Sequence, residues 1–203
     1  ILAYLSVAQF DGLISAWHDK YVFNRLAPSQ NDNSIESSYG DTMLPSYPSD
    51  GAVIATASRN ILSAMFPLEK AYLQERAEEH LSSLLWAGAN VESDIAAGEF
   101  LGVEVAKVAL ARASQDKMNK AQCPKPVSDS IKASAFPRFG WQGENLEIPP
   151  RPVGLAPLFC NVRMWSVPNV ADVRPGPPPA IGSAEFQAAA KELQDIQDNM
   201  TEE

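Results

Sequence analysis

Ser49-Asp50-Gly51-Ala52-Val53-Ile54-Ala55-Thr56-Ala57-Ser58-Arg59-Asn60-Ile61-Leu62-Ser63-Ala64-Met65-Phe66-Pro67 is the stretch whose reading decides the fold. Pro48 precedes it, and Ser49 or Asp50 can accept hydrogen bonds from the orphan N–H groups of a first helical turn. Ala52, Ile54, Ala55, Ala57, Ile61, Leu62 and Met65 then supply an apolar face at helical spacing. Pro67 ends the run. It can also serve as the first residue of another helix, where its missing N–H costs nothing.

The same period continues on both sides. Towards the N-terminus, Leu2, Leu5, Ala8, Gly12, Leu13, Ala16 and Trp17 predict a helix from Ile1 to about Asn24, with Pro28 closing the run. The polar, turn-rich residues from Ser29 to Pro48 predict a loop. Beyond Pro67 a third helix is expected to about Ala87, with the Glu75/Glu79 and Arg76/His80 spacings along its outer surface. A fourth is expected from near Val91 to about Ala113, and Gly98 and Gly102 on one of its faces predict close approach by another helix. Four helices with short connections make a bundle, so residues 1–122 are read as an all-α domain.

At Gln122 the character changes. Most of the prolines fall between Pro124 and Pro179, ending in Pro177-Pro178-Pro179, and proline both removes backbone donors and disfavours helix in the residue before it. Residues 123–182 are therefore expected to form an extended arm. Phe136, Phe139, Trp141, Phe159 and Trp165 call for burial, so the arm is expected to wrap the bundle or a partner. An amphipathic helix is predicted within 183–203, capped by Ser183, with Phe186, Ala189, Ala190, Leu193 and Ile196 as its apolar stripe. Ile1 begins in mid-helical pattern and Thr201-Glu202-Glu203 reads as a first helical turn. The chain is thus expected to be a piece of a longer one that continues into a further module.

A net charge of −9 over 203 residues argues against nucleic acid or an anionic membrane surface as the main partner. No run of about 18 uninterrupted apolar residues is present to span a bilayer. Cys123 and Cys160 either pair in an oxidising compartment or stand as two small apolar residues, and the sequence leaves both readings open. With two cysteines and two histidines, no structural metal site is expected. Asn31-Asp32-Asn33-Ser34 with Glu36 offers hard oxygens but lacks the glycine and terminal glutamate of a calcium loop. His18 and His80 are read as surface residues.

Three separated motifs carry the candidate chemistry. They are Asp19-Lys20-Tyr21-Val22-Phe23-Asn24-Arg25-Leu26-Ala27-Pro28, then Pro45-Ser46-Tyr47-Pro48-Ser49-Asp50-Gly51-Ala52-Val53, then Ser83-Leu84-Leu85-Trp86-Ala87-Gly88-Ala89-Asn90-Val91-Glu92-Ser93-Asp94, followed by Gly98 and Gly102. Their order and spacing resemble the superfamily of type-2 phosphatidic acid phosphatases and vanadium-dependent haloperoxidases, over roughly residues 1 to 115. The family pattern is Lys, six residues, Arg-Pro; then Pro-Ser-Gly-His; then Ser-Arg, five residues, His, three residues, Asp. The tail from about Pro149 is similar to the proline-rich arm and helix that precede the catalytic helices in bacterial haloperoxidase-like proteins.

The resemblance implies a helical bundle of that type and an oxyanion site in which Lys20, Ser49, Ser83 and Asn90 would hold phosphate or vanadate. The site is degenerate. Ala27 and Leu84 stand where the family has Arg, and Gly51 and Asn90 where it has His. Arg25 lies about 200° round a helix from Ala27 and could substitute only where the helix has frayed. Asn90 cannot attack phosphorus or shuttle a proton as imidazole does. Asp94, the residue that would orient the missing His, is left to hydrogen-bond Asn90 or to cap a helix.

The favoured expectation is a non-catalytic structural or interaction module whose partner is another protein module or subunit, a second copy of the chain included. The alternatives are a phosphatase or vanadium-dependent haloperoxidase completed by another module, and a binding protein for a small polar ligand, for which a sizeable cavity beside Asn90 would speak. No resident cofactor is expected, vanadate or phosphate being the anions that the family site would take. An exported location, periplasmic or extracellular, follows from the acidic charge, the proline-rich arm and the family habit.

Overall fold

The computed structural model describes residues 1–38, 44–140, 146–149 and 155–200. Its architecture is all-α, and among the described residues there is no strand. In chain order the α-helices are α1 (Leu2–Phe23), the single turn α2 (Pro28–Asn31), α3 (Asp50–Met65), α4 (Lys70–Trp86), α5 (Glu92–Gln115), α6 (Lys125–Phe139) and α7 (Ala184–Asp198). Residues 1–163 form one compact unit and residues 164–203 a second. Among the described residues no helix is long and apolar enough to cross a membrane.

Helix α3 is the centre of the first unit and packs against α1, α4 and α5. Three neighbours leave it little free surface. Ala52, Val53, Thr56, Ala57 and Ile61 are buried, while Ile54, Ala55, Leu62 and Met65 are half-buried at the borders between contacts. One core cluster joins Ala8, Ile61 and Ala106 with Met65, Val105, Ala109 and Leu110 around it. A second joins Ala52, Leu84 and Ile95, with Leu81 against it.

The helices approach through small residues. A Cβ on Gly12 would lie 2.7 Å from Val53 Cγ1, and one on Gly102 would lie 2.7 Å from the Val53 carbonyl oxygen. A Cβ on Gly98 would strike the Ser49 carbonyl oxygen and come within 2.7 Å of Ala52 Cβ. Both glycines of α5 therefore sit where the sequence predicts a close helix contact, and the neighbour is α3. On α1 the buried stripe runs along Ala8, Gly12, Ala16 and Lys20. Ala8, Gly12 and Ala16 stand where the period predicts, Leu5, Leu13 and Trp17 are half-buried, and Leu2 is exposed. Close approach to α3 selects small side chains there and leaves Leu5, Leu13 and Trp17 half-buried at its borders.

Beyond Gln122 the structure departs from the expected extended arm. Helix α6 occupies Lys125–Phe139, with Pro126 in its first turn, where no donor is lost, and Pro137 near its end. Gly140, at φ 75°, closes it with its N–H on the Phe136 carbonyl. Residues 155–163 attach to the bundle through backbone bonds from Leu158 N to Ala121 O (3.0 Å) and Arg163 N to Asp116 O (2.9 Å). Phe136, Phe159 and Trp165, expected to be buried against the bundle or a partner, are exposed in the chain alone. Trp141 and the side chain of Phe139 lie outside the described residues. Cys123 is buried, Cys160 is exposed, and both are free thiols.

In the second unit the Ser183 hydroxyl accepts from Phe186 N at 3.2 Å and caps α7 as predicted. Phe186, Leu193 and Ile196, three residues of the predicted apolar stripe, are exposed.

Candidate functional site

Four segments converge on the N-terminus of α3: the last turn of α1, the chain entering α3, the C-terminal part of α4, and the turn between α4 and α5. Helix α1 stops at Phe23 because Asn24 adopts the left-handed conformation, φ 47°, and donates its N–H back to the Lys20 carbonyl. Arg25 is thereby outside the helix. Its backbone carbonyl accepts from Ser46 N at 2.9 Å, which ties the end of α1 to the segment entering α3.

Ser49 is the cap of α3 and is fully buried. Its Oγ accepts from Ala52 N at 3.3 Å and donates to Asn90 Oδ1 at 2.9 Å, while its backbone N donates to the Asp94 carbonyl at 2.9 Å. Asn90 completes the circuit by donating from Nδ2 to the Ser46 carbonyl at 2.9 Å.

Asp94, with no exposed surface, caps α5 through Oδ2, which accepts from Val91 N at 3.0 Å. Its Oδ1 accepts from Arg25 Nη1 at 2.9 Å, and the same guanidinium nitrogen donates to Ser93 Oγ at 2.7 Å. Of the two roles left open by the sequence, Asp94 therefore takes the cap, and its second partner is Arg25 where Asn90 was the other candidate. Arg25 lies beyond the end of the helix, the condition under which it could stand in for the missing Arg. It meets a carboxylate of the chain itself.

Lys20 is buried, with 4 % of its surface exposed. Its ammonium donates to the Pro45 carbonyl at 2.8 Å and the Ser46 carbonyl at 3.4 Å, and faces Asp50 Oδ1 at 3.6 Å. Burial pulls its pKa below the ordinary lysine value, and the Asp50 carboxylate opposes that shift. Two of the ammonium's N–H groups thus have hydrogen-bond partners, and the Asp50 carboxylate stands at ion-pair distance. Ser83 does not join the site. Its Oγ donates to the His80 carbonyl at 2.7 Å, within its own helix.

A cavity of about 330 Å³ opens beside this network. Lys20, Asp50, Gly51, His80, Leu84 and Asn90 are among its walls. Ser49 and Asp94 stand behind it. Gly51 faces the imidazole of His80: a Cβ at Gly51 would be 3.4 Å from His80 Nε2 and 3.0 Å from Leu84 Cδ1. His80 is therefore exposed, as predicted, yet borders the cavity through its ring. The Ser46 hydroxyl, also at the wall, donates to the Leu26 carbonyl at 3.2 Å. Among the described residues no group of three or more His, Cys, Asp or Glu side chains is placed to hold a metal ion.

Three features of this site are not assigned by sequence reasoning: Asp50 as the counter-ion of Lys20, Arg25 as the partner of Asp94, and His80 at the cavity. Asn24 carries a signal for the second, being a residue that tolerates the left-handed cap and so releases Arg25 from the helix. The first and third depend on helix placement alone. The chain matches no protein-family model and no curated protein sequence.

Proposed function

We propose that this chain is a non-catalytic relative of the type-2 phosphatidic acid phosphatase and vanadium haloperoxidase bundles, one that keeps the helical frame and works as a structural or interaction module. One observation carries the reading. The polar groups that would hold an oxyanion already have partners within the chain: Lys20 has two carbonyls and Asp50, Ser49 and Asn90 have each other, and Asp94 has Arg25 and Val91 N. An incoming phosphate or vanadate would have to break these bonds and sit beside the Asp50 carboxylate, whose charge repels it. Ser83, which would have added a hydroxyl, bonds to its own helix.

A partner is supported by the outer side of α1, where Phe10, Ile14 and Tyr21 are each more than half exposed. Exposed large apolar side chains on one helix face are a common mark of protein contact.

Calorimetric titration with orthovanadate, with phosphate as competitor, tests the reading. No heat is expected up to millimolar vanadate. Micromolar binding that is competed by phosphate and lost in Lys20→Ala would overturn it and restore an oxyanion site.

A further inference from the structure

The cavity beside α3 pairs its lysine within the chain and leaves a carboxylate oxygen without a donor among the described residues. Lys20, the buried cation among the described residues of its wall, donates to two backbone carbonyls and is ion-paired with Asp50. A carboxylate is among the groups with spare capacity. Asp50 Oδ1 takes the Gly51 N–H at 3.2 Å and faces Lys20, while among the described residues no donor reaches Asp50 Oδ2. The Asp50 side chain is 38 % exposed, so that oxygen is accessible to a ligand. The imidazole of His80 likewise makes no hydrogen bond among the described residues, and a neutral ring offers one acceptor nitrogen beside its one N–H donor.

The rest of the wall is mainly apolar, with Ile54, Leu44, Pro45, Leu84, Ala27 and Ala89 around the space. A volume of about 330 Å³ falls in the range of small-molecule pockets, which combine apolar walls with a few placed polar groups. The chain's net charge of −9 adds a long-range field that favours cations.

We propose that this cavity binds a small aliphatic amine in its ammonium form, with Asp50 as counter-ion, His80 as a second acceptor and the Leu84–Ile54 wall around the carbon chain. A carboxylate bridging two ammonium groups, Lys20 on one side and the ligand on the other, satisfies both of its oxygens. The inference rests on the cavity and not on the ancestry proposed above, and a chain that ignores vanadate can still take an amine.

Three probes with the same carbon skeleton and different charge test it: isoamylamine, isoamyl alcohol and isovalerate. Each is titrated into the isotope-labelled full chain at neutral pH, with the backbone amide signals of Gly51, Ala89 and Asn90 followed by NMR. The amine is expected to shift those signals with a dissociation constant of about a millimolar, fitting for so few atoms. The alcohol should bind about tenfold more weakly or worse, and the carboxylate should leave the signals unmoved. Asp50→Asn should weaken the amine at least about tenfold and leave the alcohol unchanged. Binding of isovalerate as tight as the amine, or equal binding of amine and alcohol, would overturn the proposal on the unaltered protein alone. Shifts confined to residues away from the cavity would do the same.

Discussion

Gly98→Ala is the substitution that most directly probes why the site exists, because it adds a single methyl where α5 meets the first turn of α3. That methyl would lie 2.7 Å from Ala52 Cβ and closer still to the Ser49 carbonyl oxygen. Carbon atoms sit comfortably at about 3.5–4.0 Å, so the overlap with Ala52 is about 1 Å. Neither neighbour can turn aside. Ala52 has no rotatable side chain, and the Ser49 carbonyl is held by the Val53 N–H at 3.1 Å.

Relief therefore requires the two helices to separate, which stretches the 2.9 Å bond from Ser49 N to the Asp94 carbonyl. Overpacking of this kind costs about 1–3 kcal/mol, and two immovable neighbours put it near the upper end. Alanine in place of glycine returns about 1 kcal/mol of helix propensity. The net expectation is a loss of about 2 kcal/mol, or roughly 4–8 °C in Tm for a chain of this size. Urea denaturation followed by far-ultraviolet circular dichroism measures it. Ala96→Gly, on the exposed side of the same helix, serves as the control for propensity and should lose about 1 kcal/mol without disturbing the α3 contact. A Gly98→Ala protein as stable as the parent, or more so, would refute the close-approach argument.

Two further outcomes are expected. Arg25→Met leaves the fully buried Asp94 without its guanidinium partner and should cost about 1–2 kcal/mol in urea denaturation; this is less than the ~3–5 kcal/mol of a fully buried pair because 42 % of the Arg25 side chain is exposed. An unchanged midpoint would show that water compensates Asp94 fully. Alkaline pH should act on two groups in opposite directions. The lowered pKa of Lys20 means that, between its native value and 10.5, the unfolded chain holds more protons, so stability rises with pH in that window and Lys20→Met should flatten the rise. The Tyr4 phenol is pushed up to about 12, first by burial and then by its 2.7 Å hydrogen bond to Asp116 Oδ2. Its contribution is complete below about pH 10 and lost as pH climbs through 12, so Tyr4→Phe should remove that later decline. Denaturation midpoints across alkaline pH, with and without each substitution, separate the two.

Much of the frame is legible in the sequence because helix boundaries are local chemistry. Ser49, Ser183 and Pro67 announce helix starts or stops through their own backbone and side-chain bonding, and those elements stand where the residues predict. Gly98 and Gly102 announce a close neighbour for the same local reason, since glycine at helical spacing leaves a groove. Proline is a poorer guide in Lys125–Phe139. Pro126 sits in the first turn, where it costs nothing, so a proline-rich segment still holds a helix. On α1, apolar periodicity names Ala8, Gly12 and Ala16, which are buried, together with Leu5, Leu13 and Trp17, which are half-buried. A pattern of hydrophobicity carries no information about interaxial distance.

The site divides along the same line. That Asn90 cannot do the work of an imidazole follows from its chemistry, and no fold is needed to say so. Which charge meets which is a property of packing. The close contact at Gly98 draws the α3 cap against the Asp94 carbonyl. That places Asn90 over Ser49, while the release of Arg25 from α1 sends its guanidinium to Asp94. Once these pairs have formed, Lys20 is held by carbonyls on one side and Asp50 on the other, while Asp50 and His80 keep unused capacity towards the cavity. The preference for an ammonium ligand is thus a consequence of helix packing. A substitution that separates α3 from α5, such as Gly98→Ala, should weaken amine binding together with stability, although residue 98 is not among the residues at the cavity wall. Amine affinity that survived a measured loss of packing would separate the cavity from the helix contact and remove this link.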